Sequence, residues 1–293
     1  MKASAFSYAR ANSVLHALQL LAAHGERAKV LSGGQSLLPA MNLRLISPEI
    51  IVDIGQLGEL RGISVKGDVV VIGALTRHVD LQTSSEIFNH APLLRDAIVH
   101  VAHPAIRNRG TVGGSLAQAD PAAELPACMV ALKATIVVCG PGGERRIAAR
   151  EFFTGIYETA LAPQELLIAV EVPIARTKSV HFFQEFARRR GDYAIVGLAA
   201  LAQLDGDGFS DLRLSYFALG DRPMLAGAAN KLVNVTITPG VLAEAAAALS
   251  AELYPHADQQ ATAAMRRHLA TVLMVRCVST LLGRRDLSVG SPG

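Results

Sequence analysis

The spacing of apolar positions along this chain changes several times, and each change predicts an element. In residues 12–24, NSVLHALQLLAAH, the residues Val14, Leu15, Leu18, Leu21 and Ala22 fall on one stripe at helical spacing. Asn12 or Ser13 stands where an N-cap is expected, and Gly25 where such a helix stops. AKVL (28–31) is a short strand that runs directly into SGGQS, and EIIVDI (49–54) is a second strand after one more helical or irregular segment. GDVVVIGAL (67–75) opens a strand-rich stretch, and helical patterning follows over 80–103. RNRGTVGGSLAQADPAAELPA (107–127) reads as neither helix nor strand until a helix near 122–132, after which ATIVVCG is again a strand. GPGGER (140–145) is a hairpin signal, and ELLIAVEVPI (165–174) is a strand closed by Pro173.

Composition shifts at PIARTKS (173–179), which marks a linker or domain boundary. Beyond it VHFFQEFARR, YAIVGLAALAQL and LRLSYFALG read as three strands, with Gly206-Asp207-Gly208 turning between the second and third. The rest is helical: TPGVLAEAAAALSAEL has Thr238 as N-cap and Pro239 in the first turn, and HADQQATAAMRRHLATVLMVRCVSTLLGRR is long and amphipathic. Strands followed by helices in one block predict an α+β domain. The tail LSVGSPG is expected to fray.

At 293 residues, with 51% hydrophobic and 18% charged, the chain is globular in composition and long enough for one large domain or two to three small ones. Its apolar runs are too short to cross a bilayer, and no signal-peptide pattern opens it, so a cytoplasmic location is expected. The net charge of +3 is spread out apart from Arg188-Arg189-Arg190, which gives nucleic-acid binding little support. Cys128, Cys139 and Cys277 form no CxxC pair and read as buried, inert thiols, so the chain is not expected to hold zinc or an iron–sulfur cluster. His78, His100 and His103 lack the spacing of a metal site, and no GxSxG elbow is present.

Two glycine loops carry the candidate chemistry. Ser32-Gly33-Gly34-Gln35-Ser36 follows a strand, and Thr111-Val112-Gly113-Gly114-Ser115 repeats the Gly-Gly-Ser pattern about eighty residues later. Adjacent glycines permit positive φ and turn several N–H groups into one concavity, a nest for phosphate oxygens; each loop taken alone is also an ordinary turn. Together they suit a ligand with two phosphates, although neither is a Walker A loop or a GxGxxG opening a helix. Asp120 and Glu124 lie just downstream, where carboxylates could meet ribose or adenosine protons. Asp120 before Pro121 also reads as a helix cap, with Glu124 in the first turn.

LSGGQSLLPAMNLRL, IRNRGTVGGSLAQADPAAELPA and RRRGDYA (188–194) resemble the FAD-binding medium subunits of molybdenum hydroxylases, the carbon monoxide dehydrogenase and xanthine dehydrogenase family, over nearly the whole chain. AHPAIRNRGTVGGSLAQAD is most similar to the quinoline and nicotine dehydrogenase type. The resemblance implies an α+β protein: a two-part FAD-binding domain of the vanillyl-alcohol oxidase-like type (1–55 and 56–175), a C-terminal α+β domain of antiparallel sheet and helices (176–287) and a tail (288–293). It implies FAD between the first two parts, with Ser32, Gly33, Gly34, Gln35, Ser36 and Leu37, and Thr111, Gly113, Gly114 and Ser115, around the pyrophosphate. Glu124 falls on the adenosine side, Leu167 near the isoalloxazine, and Asp192 and Tyr193 reach the ring from the C-terminal domain. Tyr193 would offer the ring a face, or else pack as a core tyrosine. Ser32 stands where the family often has alanine. Arg188, Arg189 and Arg190 would meet an acidic partner or a pyridine-nucleotide phosphate, or form a solvated turn.

The implied function is an electron-transfer oxidoreductase subunit with no catalytic acid or base of its own for substrate hydroxylation. A small subunit with two [2Fe-2S] clusters would feed it, a large subunit would carry the molybdopterin cofactor, and the assembly would be a dimer of heterotrimers. The alternatives are a self-sufficient FAD-dependent reductase of the same fold group and a non-redox binding protein that keeps the fold.

Overall fold

A computed structural model describes residues 2–288. Its first sheet is parallel: β1 (Ser7–Arg10), α1 (Val14–His24), β2 (Ala28–Leu31), α2 (Leu37–Asn42) and β3 (Ile50–Asp53) give the strand order β1-β3-β2. The first strand escapes the hydrophobic pattern because its side chains are mostly exposed, so the ladder to β3 and not burial defines it. Ser13 caps α1 by accepting from the His16 amide, and Gly25 ends it at φ 55°. The buried stripe differs from the predicted one. Ala17 and Leu21 face the core, whereas Leu15 is 66% exposed and Ala22 also points outward.

The second sheet is antiparallel, built from β4 (Ile63–Lys66), β5 (Val69–Gly73), and, after a helical stretch, β6 (Thr135–Gly140), β7 (Gly143–Ala148) and a long central strand. The helical stretch comprises α3 (His78–Thr83), α4 (Ser85–His90), α5 (Pro92–Ile98), α6 (Pro104–Arg107), α7 (Val112–Gln118) and α8 (Glu124–Ala131). A short helix α9 (Ala149–Phe152) and a two-stranded ribbon, β8 (Phe153–Gly155) with β9 (Glu158–Thr159), lead to the central strand β10 (Leu166–Pro173). The 107–127 segment is therefore more ordered than expected: Thr111 caps α7, and both glycines lie inside its first turn. Asp120 does not cap α8, which begins after Ala123; its carboxylate instead accepts from the Ala122 amide within a turn.

Beyond residue 175 come four antiparallel strands, β11 (Ser179–Phe186), β12 (Val196–Asp205), β13 (Gly208–Phe217) and β14 (Met224–Leu225). Two helices follow, α10 (Pro239–Glu252) and α11 (Ala263–Leu282). Thr238 caps α10 through the Val241 amide, with Pro239 in its first turn. Residues 256–262 are not helical as expected. Asp258 Oδ1 takes the amides of Gln260 and Ala261 into a tight turn, and α11 starts only after its own cap, Thr262. Leu287 is buried against the last core rather than frayed, and the remainder of the predicted tail, 289–293, lies outside the described residues.

Three apolar clusters hold these layers. One joins Ala17, Leu21, Ile50 and Val52 to Leu60, Leu75 and Leu166, so the N-terminal part is packed on the middle one. The largest gathers Ile72, Leu93, Leu94, Leu116 and Val138 together with Ala194, Ala199 and Phe217 from beyond residue 175. The joint between the middle part and the C-terminal part is thus a shared core, and what lies along that joint is held by burial on both sides. The third cluster binds α10 and α11 to the last sheet, where the buried Tyr216 hydroxyl donates to the Ala270 carbonyl at 2.9 Å.

Candidate functional site

The two glycine loops meet. Ser32 Oγ lies 2.6 Å from Thr111 Oγ1, across 79 residues of chain. A Cβ on Gly33 would stand 2.3 Å from the Arg109 carbonyl oxygen, and one on Gly113 would stand 2.7 Å from Ala74 Cβ. Both glycines are therefore required by contact between protein segments, not only by the approach of a ligand. Gly34 has φ +71°, the left-handed conformation expected of the first loop. The amides of Gly33, Gly34 and Gln35 have no hydrogen-bond partner among the described residues, while the Gln35 side chain folds back to the Gly33 carbonyl at 3.0 Å. This loop is an open nest of donors, bounded by Ser36, which is exposed, and Leu37, the first residue of α2.

The second loop works differently from expectation. Neither Gly113 nor Gly114 has positive φ, and the amides are already engaged: Val112 with the Thr76 carbonyl (2.9 Å), Gly113 with that of Ala74 (2.8 Å), Gly114 with Thr111 Oγ1 (3.2 Å). Its contribution is a wall and side-chain groups. Arg77 pairs with Thr111 in an isolated antiparallel bridge, and the His78 amide donates to the Gly110 carbonyl at 3.0 Å. The result is a cavity of about 150 Å³ lined by Ser32, Gly33 and Thr111 and by Arg61, Arg77 and Arg109. These three arginines were not identified from the sequence. Arg109 lies in the RNRG run just before the second loop, but only the fold brings Arg61 and Arg77 beside it.

His78 secures the second loop from behind. It is 3% exposed, and its Nε2 is 3.1 Å from both the Thr111 carbonyl and Ser115 Oγ. Burial pushes its pKa down to about 4, aided less by the Arg107 charge and opposed by the bond to Thr111. The ring is therefore neutral at pH 7 and donates to the Thr111 carbonyl from Nε2. Its Nδ1 is buried without a partner, facing Gly110, whose Cβ would be 2.9 Å away.

A larger cleft, about 350 Å³, lies along the joint between the middle and C-terminal parts. Asp120, Tyr157, Tyr193, Asp258 and Arg266 are among the residues that line it. Tyr157 Oη donates to Asp120 Oδ2 at 3.4 Å. Tyr193 is 65% exposed, so it is not a core tyrosine and its ring is free to offer a face. Asp192 is exposed beside it but does not line the cleft. Leu167 is 3% exposed within the largest core, and Glu124 also stands behind the wall; neither lines either cavity. Arg266 is almost wholly buried. It meets Asp258 Oδ2 at 2.6 Å and donates to the carbonyls of Ala218 (2.8 Å) and Ile195. Of the three arginines at 188–190, Arg188 donates to the Gln259 carbonyl at 3.2 Å.

A cradle of open amides and hydroxyls lined by three arginine residues fits a diphosphate, and a cleft walled by two tyrosines fits a planar ring. The residues present therefore fit FAD. Among the described residues no group of three or more His, Cys, Asp or Glu side chains is placed as metal ligands, and no helix is long and apolar enough to cross a membrane.

Comparison with known proteins gives the same picture. Residues 4–175 match the FAD binding domain in molybdopterin dehydrogenase, and residues 181–281 match the CO dehydrogenase flavoprotein C-terminal domain. The chain is 40% identical to the 6-hydroxypseudooxynicotine dehydrogenase complex subunit alpha of Paenarthrobacter nicotinovorans, over 97% of each chain. It superposes on a chain of carbon monoxide dehydrogenase from Hydrogenophaga pseudoflava with TM-score 0.94 and 34% identity, covering 97% of this chain and 99% of that one. With quinoline 2-oxidoreductase from Pseudomonas putida 86 the TM-score is 0.91 at 36% identity, covering 97% and 99%.

Proposed function

Since the chain belongs to the FAD-binding medium subunits of the carbon monoxide dehydrogenase and xanthine dehydrogenase family, we propose that it is the electron-transfer subunit of a heteromeric molybdenum hydroxylase. The observation that carries this is the locked pair of loops, Ser32 against Thr111 at 2.6 Å, beside a cavity ringed by arginines. In this reading the amides of Gly33, Gly34 and Gln35 and the side chains of Arg77 and Arg109 hold the pyrophosphate. Gly113, Gly114 and Ser115 keep the opposite wall in place. Tyr193, with Asp192 next to it, approaches the ring from the C-terminal part, and Tyr157 is held to the same cleft by Asp120. Leu167 and Glu124 act from behind the wall and not as direct contacts.

FAD in that position supplies redox chemistry that accepts electrons singly and releases them singly or in pairs. The chain orients it, excludes water from its phosphates and leaves one cleft open to an acceptor. Partner subunits would supply the rest: a small one with two [2Fe-2S] clusters and a large one with the molybdopterin cofactor, as a dimer of heterotrimers in the cytoplasm. A molybdenum-containing assembly of several chains is supported by the solved relative, which is named for its molybdenum cofactor, and by the 40% identical relative, which is one subunit of a dehydrogenase complex.

The test is to isolate the natural complex and release its cofactor by denaturation. FAD recovered with this chain, alongside two further chains and iron–sulfur absorption, is the expected result. A lone yellow chain that oxidises reduced pyridine nucleotide by itself would replace the reading with a self-sufficient reductase. A chain that stays colourless with added FAD would overturn it.

A further inference from the structure

Asp53 does not line the phosphate cradle, yet its carboxylate bonds to a residue that does. It is the last residue of β3, the middle strand of the parallel sheet, in register with Arg10 at the end of β1 and Leu31 at the end of β2. It thus stands at the carboxyl edge of the sheet, the edge at which ligands of parallel sheets bind, one strand away from the loop that opens with Ser32. Its side chain is only 16% exposed, and each oxygen has its own donor. Oδ1 accepts from the Gly55 amide at 2.8 Å, and Oδ2 accepts from the Tyr8 hydroxyl.

The next link reaches the cavity. The Gly55 carbonyl accepts from Arg61 Nη2, and Gly55 and Arg61 both line the cavity. The remaining N–H groups of that guanidinium have no protein partner among the described residues. A Cβ on Gly55 would stand 3.0 Å from Asp53 Oδ1 and 3.8 Å from the Ser32 carbonyl oxygen, so the turn is close to both. On the outer side Arg10 donates to Tyr8 Oη at 3.2 and 3.3 Å and stands 3.8 Å from Asp53 Oδ2. The Arg10 side chain is 59% exposed, so its ion pair adds little, and the two hydrogen bonds fix the rotation of the carboxylate. Both oxygens of a carboxylate accept, which is what two donors on opposite sides require and what an asparagine supplies on one side only.

We propose that Asp53 is a positioning residue of the cradle. Tyr8 fixes its carboxylate, the carboxylate fixes Gly55, and the Gly55 carbonyl holds the Arg61 guanidinium at the cavity, with its other N–H groups left for the anion. The chemistry recognised there is a diphosphate. This role rests on the flavin reading above, whereas the Asp53–Gly55 link stands on its own bond. Asp53 does not touch the ligand, and its effect passes through Arg61. Removing either residue therefore removes the same contribution to binding, and removing both removes it once.

The test is a double-mutant cycle read by FAD titration of the full chain. Asp53→Ala and Arg61→Gln are each expected to weaken binding about tenfold, and the double variant by no more than Arg61→Gln alone. Asp53→Asn, which keeps an acceptor for the Gly55 amide, should lose only about two- to threefold. Tyr8 is half exposed, so Tyr8→Phe leaves the fold intact and repeats the cycle should Asp53→Ala not fold. Its loss of about two- to threefold should vanish in the Arg61→Gln background. Additive losses in either cycle, or wild-type affinity in Asp53→Ala, would overturn the proposal. Hydrogen exchange of the Gly55 amide in the flavin-free chain reads the link alone: it should be slow in the wild type and Asp53→Asn and fast in Asp53→Ala. Slow exchange in Asp53→Ala would overturn the link. Inorganic pyrophosphate serves as a second ligand. A wild-type chain that binds it with the same coupling but takes up no FAD would overturn the flavin reading alone, and one that binds neither would overturn the cradle role as well.

Discussion

Ser32 Oγ and Thr111 Oγ1 are 2.6 Å apart, and this contact ties the end of β2 in the parallel N-terminal unit to the start of α7 in the middle part. Thr111 Oγ1 also accepts from the Gly114 amide at 3.2 Å, so one hydroxyl both caps a helix and clamps a loop. Thr111→Val removes both roles while keeping shape. The expected loss is about 1–2 kcal/mol of stability, as for other cap losses, with FAD binding weakened about tenfold because the loops separate. Ser32→Ala, which keeps the cap, should cost about 1 kcal/mol or less. Thermal unfolding and flavin fluorescence titration distinguish the two.

Gly33→Ala tests the claim that glycine serves contact between the loops. The new Cβ would meet the Arg109 carbonyl at 2.3 Å, so one loop must move. Overpacking of this kind costs about 1–3 kcal/mol. Purified chain is expected to stay folded by circular dichroism and to lose its flavin absorption. A yellow Gly33→Ala protein with unchanged affinity would show that the loops tolerate separation.

Arg77 and Arg109 border the cradle with Arg61. Replacing either Arg77 or Arg109 by glutamine should weaken FAD binding by about 1.5–3 kcal/mol, the range for hydrogen bonds to charged groups. Part of the wild-type affinity should fall with added salt, and this dependence should be shallower in each variant. Titrations at two salt concentrations provide the check.

How far this was legible in the sequence depends on how local each cause is. Thr238 with Pro239 and Ser13 with Gly25 declare helix ends through bonds three or four residues away, and they appear where the pattern put them. The first glycine loop was legible because Gly34 needs a left-handed backbone. The helix α7 was not, because Gly113 is there to fit against Ala74, a contact made across 39 positions of chain (113 − 74). The first strand, exposed and short, has no apolar signature of its own. Arg77 was missed for a similar reason: its place at the cradle follows from an isolated pairing with Thr111 that no spacing reveals. Glu124 opens α8 and lines neither cavity, and no spacing in the sequence reveals how far it stands from the cradle.

His78 makes stability depend on acid. Its folded pKa, about 4, is below its ordinary value of 6.5, because burial disfavours the charged ring. A depressed histidine stabilises the fold fully above the unfolded pKa and loses that contribution as pH falls from 6.5 through about 4. The shift corresponds to about 3 kcal/mol at most. Unfolding midpoints should therefore drop over that window, and in His78→Gln the drop should be smaller, with a lower midpoint at neutral pH from the lost packing. A His78→Gln profile parallel to the wild type would assign the acid sensitivity to another group.

Arg266 shapes the far side of the large cleft. Buried on α11, it ties Asp258 at 2.6 Å to the carbonyls of Ile195 and Ala218, just after Tyr193 on one chain segment and at the end of β13 on the other. Arg266→Met keeps the apolar stem but leaves two carbonyls and a carboxylate without their donor. Asp258 is half exposed, so the cost comes mainly from the two buried carbonyls left unpaired, about 1–3 kcal/mol. Since Asp258 organises the turn before α11 through the Gln260 and Ala261 amides, that turn should loosen first. Limited proteolysis is expected to cut Arg266→Met between residues 253 and 262 at temperatures where the wild type is intact. Arg266→Lys should protect only partly, because one ammonium cannot reach all three acceptors in the geometry of the guanidinium fork. Equal protease resistance in all three proteins would show that Arg266 does not organise this side of the cleft.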